Sequence, residues 1–122
     1  MYELSVKTHF SGAHHLVGYD GPCAEHHGHN WEVEVFVCGK KLNKTGILVD
    51  FKKLKESVKQ VTWELDHKDV NKHPFFQRNN PTSENIARFI YEQVLKLLKK
   101  ENCRINKVVV KETPDSTAVY SK

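Results

Sequence analysis

The chain has 122 residues, 39% hydrophobic and 28% charged, a balance that suits one soluble domain spanning 1–122 and leaves no room for a second. No apolar run approaches the ~18 residues of a membrane span, and the N-terminus lacks the apolar stretch of a secretion signal. The net charge of +4 is small and scattered, and no basic stripe interleaves with aromatics, so neither a membrane nor a nucleic acid is an expected partner. Cys23, Cys38 and Cys103 are odd in number and form no CxxC pair, which suits reduced thiols in the cytoplasm and argues against a cysteine-built zinc site.

Residues 2–10 alternate, with Tyr2, Leu4, Val6, Thr8 and Phe10 on one face, and predict a half-buried strand. Residues 27–38 alternate in the same way, with His27, His29, Trp31, Val33, Val35 and Val37 together. The loop between carries Gly18, Asp20, Gly21 and Pro22, so the two strands are expected to pair as an antiparallel hairpin with a long connection. Asp50 is placed to cap a helix over 51–65, whose apolar stripe is Phe51, Leu54, Val58, Val61 and Leu65. A loop follows over 66–81. Thr82 is placed to cap a second helix carrying Ile86, Phe89, Ile90, Val94, Leu97 and Leu98. Strands over 105–112 and 117–120, joined by a turn at Pro114-Asp115-Ser116, close the chain. The order β-β-α-α-β-β predicts an α+β fold, a four-stranded antiparallel sheet with both helices on one face. Exposed sheet edges in so small a layer favour assembly with further copies.

Histidine usage is out of proportion. Six of the eight lie between His9 and His29. In His27-Gly28-His29, two imidazoles two residues apart on a strand point the same way and can converge on one ion. Gly28 between them allows a bend or a close approach. A third histidine from the neighbouring strand would leave an open coordination position, the pattern of a catalytic rather than a structural metal. Spacing alone leaves His9, His14 and His15 as candidates. Cys23, four residues before His27, lies where a cation and several imidazoles favour a thiolate, which can bind metal, attack an electrophile or take a proton. Asp66-His67 reads either as an acid–base pair or as the end of the first helix; on the residues alone the helix end is favoured. Glu112 shares parity with Val108 and Val110. It needs a partner there, either a planar ligand edge with two N–H donors or a lysine.

The motifs taken together resemble the 6-pyruvoyl-tetrahydropterin synthase family: Phe10-Ser11-Gly12-Ala13-His14-His15-Leu16, Cys23-x3-His27-Gly28-His29-Asn30-Trp31, Val49-Asp50-Phe51, Leu65-Asp66-His67-Lys68, Pro81-Thr82-Ser83-Glu84-Asn85 and Glu112-Thr113. They run in order along nearly the whole chain. The C-x3-HGH spacing resembles the carboxy-forming branch; the pyruvoyl-forming branch typically has a longer gap. The resemblance implies the tunnelling fold, with trimers stacked into hexamers as a barrel and active sites between subunits. It implies zinc held by His14, His27 and His29, and Cys23 as catalytic proton acceptor with Asp66 and His67 completing the relay. Glu112 would hold the amino-pyrimidine edge of a pterin, with Thr113, Thr82 and Ser83 nearby. The implied substrate is 7,8-dihydroneopterin triphosphate. The implied products are 6-carboxy-5,6,7,8-tetrahydropterin, acetaldehyde and triphosphate, on the route to 7-deazaguanine nucleosides such as queuosine. The pyruvoyl-forming reaction and a non-catalytic zinc-binding domain are the alternatives.

Three positions depart from the family pattern. Gly12 replaces a more usual Ala, His15 stands where Arg is common, and His26 creates a His-His-Gly-His run in which strand parity turns it away from its neighbours. Glu25 is off register for the glutamate that a related branch carries three residues before HGH, where this chain has Ala24.

Overall fold

Strand alternation persists beyond the predicted limit at residue 10. In the computed structural model β1 runs Tyr2–His14 and pairs antiparallel with β2, His27–Gly39. The register sets Phe10 opposite Trp31 and His14 opposite His27. Phe10 and Trp31 stack with centroids 4.9 Å apart, and Val33, Val35 and Val37 continue the same face into a fully buried core. One face of the hairpin is thus apolar along its length and imidazole-bearing at its end.

Helix α1 spans Phe51–Thr62, with the Asp50 carboxylate accepting the Lys52 N–H at 2.9 Å. The predicted continuation to residue 65 is a series of turns, although Leu65 stays buried. Helix α2 spans Ser83–Leu97, and the Thr82 hydroxyl accepts the Asn85 N–H at 3.1 Å. Strands β4, Arg104–Thr113, and β5, Ser116–Tyr120, complete the fold. Helix α1 lies over β1 and against α2, which covers β4 and β5. Both helices therefore bury their apolar stripes on one face of the sheet, except that Phe51, read as part of the first stripe, is 56% exposed at the start of α1.

The sheet has five strands rather than the four predicted, and it is mixed rather than purely antiparallel. Its order is β3-β1-β2-β4-β5, where β3 is the two-residue segment Lys68–Asp69 running parallel to Gly12–Ala13. Within the stretch read as loop, short 3₁₀ turns at Val70–Lys72 and Pro74–Gln77 follow it. Gly12 explains the docking of β3. A Cβ there would stand 3.2 Å from both the Leu65 carbonyl oxygen and a Val70 methyl, so the missing side chain lets this segment lie against the strand. No periodicity marks so short a bridge.

Candidate metal centre and substrate cavity

The β1–β2 register brings three imidazoles together. His14 and His27 face each other across the hairpin, and His29 lies two residues along β2 on the same face. Their ligand nitrogens all fall within 4.8 Å of one another. His14 is the third member that spacing left open. His9 instead lies near Glu32 and is largely exposed, and His15 turns away.

The tautomers follow from the hydrogen bonds. His14 Nδ1 donates to the Pro81 carbonyl at 2.7 Å, and His27 Nδ1 donates to the Glu25 carbonyl at 2.6 Å. Each ring then turns its Nε2 lone pair into the cluster, and these two Nε2 atoms are 3.0 Å apart. Two facing lone pairs repel unless a cation lies between them. Two nitrogens bound to one zinc at ~2.0–2.1 Å and at a tetrahedral angle stand about 3.3 Å apart. The donor set therefore fits a metal ion of the imidazole-binding class. Burial pulls the pKa of His14 below its ordinary value, helped by its neighbouring imidazoles against the pull of the Pro81 carbonyl and Glu112. His29 is lowered for the same first reason, with Glu112 opposing. Both rings are held in the neutral form that a metal requires. Gly28 is under no steric demand, since a Cβ would meet only the Gly12 carbonyl at an ordinary 3.6 Å.

Beside the cluster is a cavity of about 500 Å³, bordered by Cys23, Thr82, Ser83, Glu112 and Thr117. Cys23 sits in a short 3₁₀ turn, Pro22–Ala24, whose chain is closed by the Leu16 N–H donating to the Cys23 carbonyl. Thr82 and Ser83 come from the start of α2, and the buried Ser83 hydroxyl has no protein partner. A carboxylate oxygen of Glu112 is 3.5 Å from His14 Nε2 and 3.6 Å from His29 Nε2, so Glu112 stands between the imidazoles and the cavity. The lysine alternative for Glu112 does not occur: its ion-pair partners are His14 and His29, and no lysine reaches it. Thr113 borders a separate depression with Asn30 and Glu32.

Asp66 and His67 do not border the Cys23 cavity. His67 lines a depression with Ser11, Ala13, Asn30 and His29, so it shares this depression with one imidazole of the cluster, and its side chain is 82% exposed. The pair is nonetheless built with care. α1 ends at Thr62, so neither residue terminates it, contrary to the helix-end reading. Asp66 Oδ1 accepts the Ser11 N–H at 2.9 Å and lies 3.0 Å from His67 Nδ1. The His67 N–H in turn donates to the Ser11 carbonyl. His67 has φ of 57°, a left-handed conformation that costs a non-glycine residue about 1 kcal/mol. Strain of this kind, held in place by neighbours, is characteristic of functional positions.

The Ser11 N–H, seconded by His67, holds the Asp66 carboxyl below its ordinary range against the opposing effect of burial. A depressed folded pKa contributes stability above the unfolded pKa, near ~3.9, and that stability is lost as pH falls through the folded value. Asp66→Asn is therefore expected to destabilise the fold by about 1 kcal/mol at pH 7 and by progressively less below about pH 4. Urea unfolding at pH 7 and pH 3 checks this; an equal deficit at both would contradict it.

An α+β layer with three convergent imidazoles, a donor set fit to hold a metal ion, beside a cavity of mixed lining is an enzyme-like scaffold, and comparison with known proteins specifies the family. Residues 3–122 match the family model described as 6-pyruvoyl tetrahydropterin synthase. The 6-carboxy-5,6,7,8-tetrahydropterin synthase of Bacillus subtilis is 36% identical over 98% of this chain and 84% of its own. The 6-pyruvoyl tetrahydrobiopterin synthase of Drosophila melanogaster is 35% identical over 77% of this chain and 56% of its own. The structure of the Caenorhabditis elegans 6-pyruvoyl tetrahydropterin synthase superposes with a TM-score of 0.88 at 26% identity, covering 99% of this chain and 95% of that one. The chain belongs to the 6-pyruvoyl tetrahydropterin synthase family, and is an enzyme acting on pterins.

Proposed function

We propose that this chain is a 6-carboxy-5,6,7,8-tetrahydropterin synthase, a zinc-dependent lyase converting 7,8-dihydroneopterin triphosphate and one water into 6-carboxytetrahydropterin, acetaldehyde and triphosphate. The observation that carries this reading is the convergence of His14, His27 and His29 at the edge of a cavity that also holds Cys23 and Glu112. The near end-to-end match to the Bacillus subtilis relative, together with the short C-x3-HGH spacing, favours the carboxy-forming reaction over the pyruvoyl-forming one.

His14, His27 and His29 would hold the zinc, which when bound supplies Lewis acidity to the substrate's side-chain oxygens. Glu112 accepts two N–H groups from the amino-pyrimidine edge of the pterin, the bidentate pairing a carboxylate favours. Thr82 and Ser83 line the same cavity and offer hydroxyls to the ring; Thr113 supports the strand end that carries Glu112. Cys23 takes a proton from the substrate's side-chain carbon. His67, oriented by Asp66, is the second proton carrier. Its exposure, and its absence from the lining of the Cys23 cavity of its own chain, support a homo-oligomer in which the pair serves the Cys23 cavity of a neighbouring copy. We read that assembly as a hexamer, a dimer of trimers, working in the cytoplasm on a route to 7-deazaguanine nucleosides.

Product analysis tests the reaction. Purified protein incubated with 7,8-dihydroneopterin triphosphate is expected to release acetaldehyde and triphosphate in equal amounts. Triphosphate without acetaldehyde would establish the pyruvoyl-forming reaction, and neither product would establish a non-catalytic domain. The strained position supplies a second check. His67→Gly is expected to leave the fold as stable as the parent, or up to about 1 kcal/mol more stable, because glycine adopts the left-handed conformation freely. Turnover should fall about 10²-fold or more. Thermal unfolding beside steady-state rates separates the two effects; a clear loss of stability would refute the strain.

A further inference from the structure

Two histidines that the three-imidazole centre does not use face each other at the same strand ends. His15 follows His14 and His26 precedes His27, so alternation turns both away from the cluster. Their Nδ1 atoms are 3.1 Å apart. The surroundings are organised. Asn71 clamps the backbone of residue 15, accepting the His15 N–H at 2.9 Å and donating to the His15 carbonyl at 3.1 Å. Asp69 accepts the Asn71 N–H at 3.1 Å, and the same carboxylate oxygen stands 3.6 Å from His26 Nε2.

We propose that His15 and His26 form a second cation site, with their Nδ1 atoms as ligands to a divalent metal of the nickel, copper or zinc type and Asp69 orienting His26. Nitrogens bound to one such ion at ~2.0–2.1 Å with tetrahedral separation stand about 3.3 Å apart, close to the spacing observed. Asp69, 3.6 Å from His26 Nε2, is beyond hydrogen-bond distance but near enough for its charge to favour a proton on that nitrogen, which leaves Nδ1 free for the metal. The ligand is a cation rather than an anion. The two nitrogens point at each other rather than outward, and the Asp69 carboxylate would repel a negative group. Imidazole selects metals of this class over magnesium or calcium. His26 is 45% exposed, so solvent completes the coordination. The site is independent of the reaction proposed above and is built from two residues that depart from the family pattern.

The test is calorimetric titration of the purified protein with Ni²⁺, after elemental analysis has fixed how much metal it already holds. The expected result is one equivalent per chain that disappears in both His15→Ala and His26→Ala, while metal already present is retained. Asp69→Asn should weaken that equivalent about 10-fold or more. Paramagnetic broadening by Ni²⁺ of the His15 and His26 ring signals in the unaltered protein provides a readout that does not depend on the variants folding. No such equivalent in the unaltered protein, or one that survives both substitutions, would leave only a hydrogen bond between two neutral rings and overturn the proposal. An empty three-imidazole centre would appear separately, as a further Ni²⁺ equivalent insensitive to His15→Ala.

Discussion

His14→Ala is expected to empty the metal centre and to lower turnover by about 10³-fold or more. The two losses have one cause. His14 is 1% exposed, its Nδ1–H is committed to the Pro81 carbonyl, and its Nε2 lies 3.0 Å from that of His27. Removing it takes away a ligand that no other imidazole replaces, since His15 is turned toward His26. A metal used as Lewis acid contributes several kcal/mol to the transition state, and about 4 kcal/mol corresponds to a thousandfold. The substitution also strands the Pro81 carbonyl, at a cost of about 1–3 kcal/mol in stability. His29→Ala controls for this: His29 is less buried, with 22% of its side chain exposed, and no hydrogen bond ties it to the backbone. Both variants should lose metal by elemental analysis, and His29→Ala should unfold close to the parent temperature. Full metal content in His14→Ala would contradict the ligand assignment.

Cys23→Ala is expected to reduce turnover by about 10²–10⁴-fold while leaving metal content unchanged. The thiol borders the cavity that Glu112 connects to the imidazoles, on a turn closed by backbone hydrogen bonding rather than by its own side chain. Its removal should therefore cost chemistry and little else. Elemental analysis beside steady-state rates distinguishes the roles that the sequence left open. A proton acceptor loses rate at constant metal, whereas a metal ligand loses both. Unchanged turnover would remove Cys23 from the mechanism.

The elements that the sequence made legible are those written in periodic patterns. The alternation of β2 placed His27, His29 and Trp31 on one face, and the structure has them there. The caps at Asp50 and Thr82 could be read because each is an acceptor just ahead of an apolar stripe. What escaped depends on contacts distant in sequence. Strand β3 exists because Gly12 leaves room for the 65–70 segment, fifty-odd residues further along. The choice of His14 over His9 and His15 required the pairing register, and from the residues alone Asp66 looked like a helix end. Its actual partner, the Ser11 N–H, carries no mark in the sequence. That Glu112 meets imidazoles rather than a lysine is likewise a tertiary fact. The pairing of His15 with His26 had one legible part: parity turned His26 away from its neighbours but could not say toward what.

X-ray absorption at the zinc edge of natively purified protein tests the metal centre most directly. The expected spectrum shows zinc with three imidazole nitrogens at ~2.0–2.1 Å and a remaining light-atom position. Protein without zinc, or zinc with a sulfur neighbour near ~2.3 Å, would contradict the account.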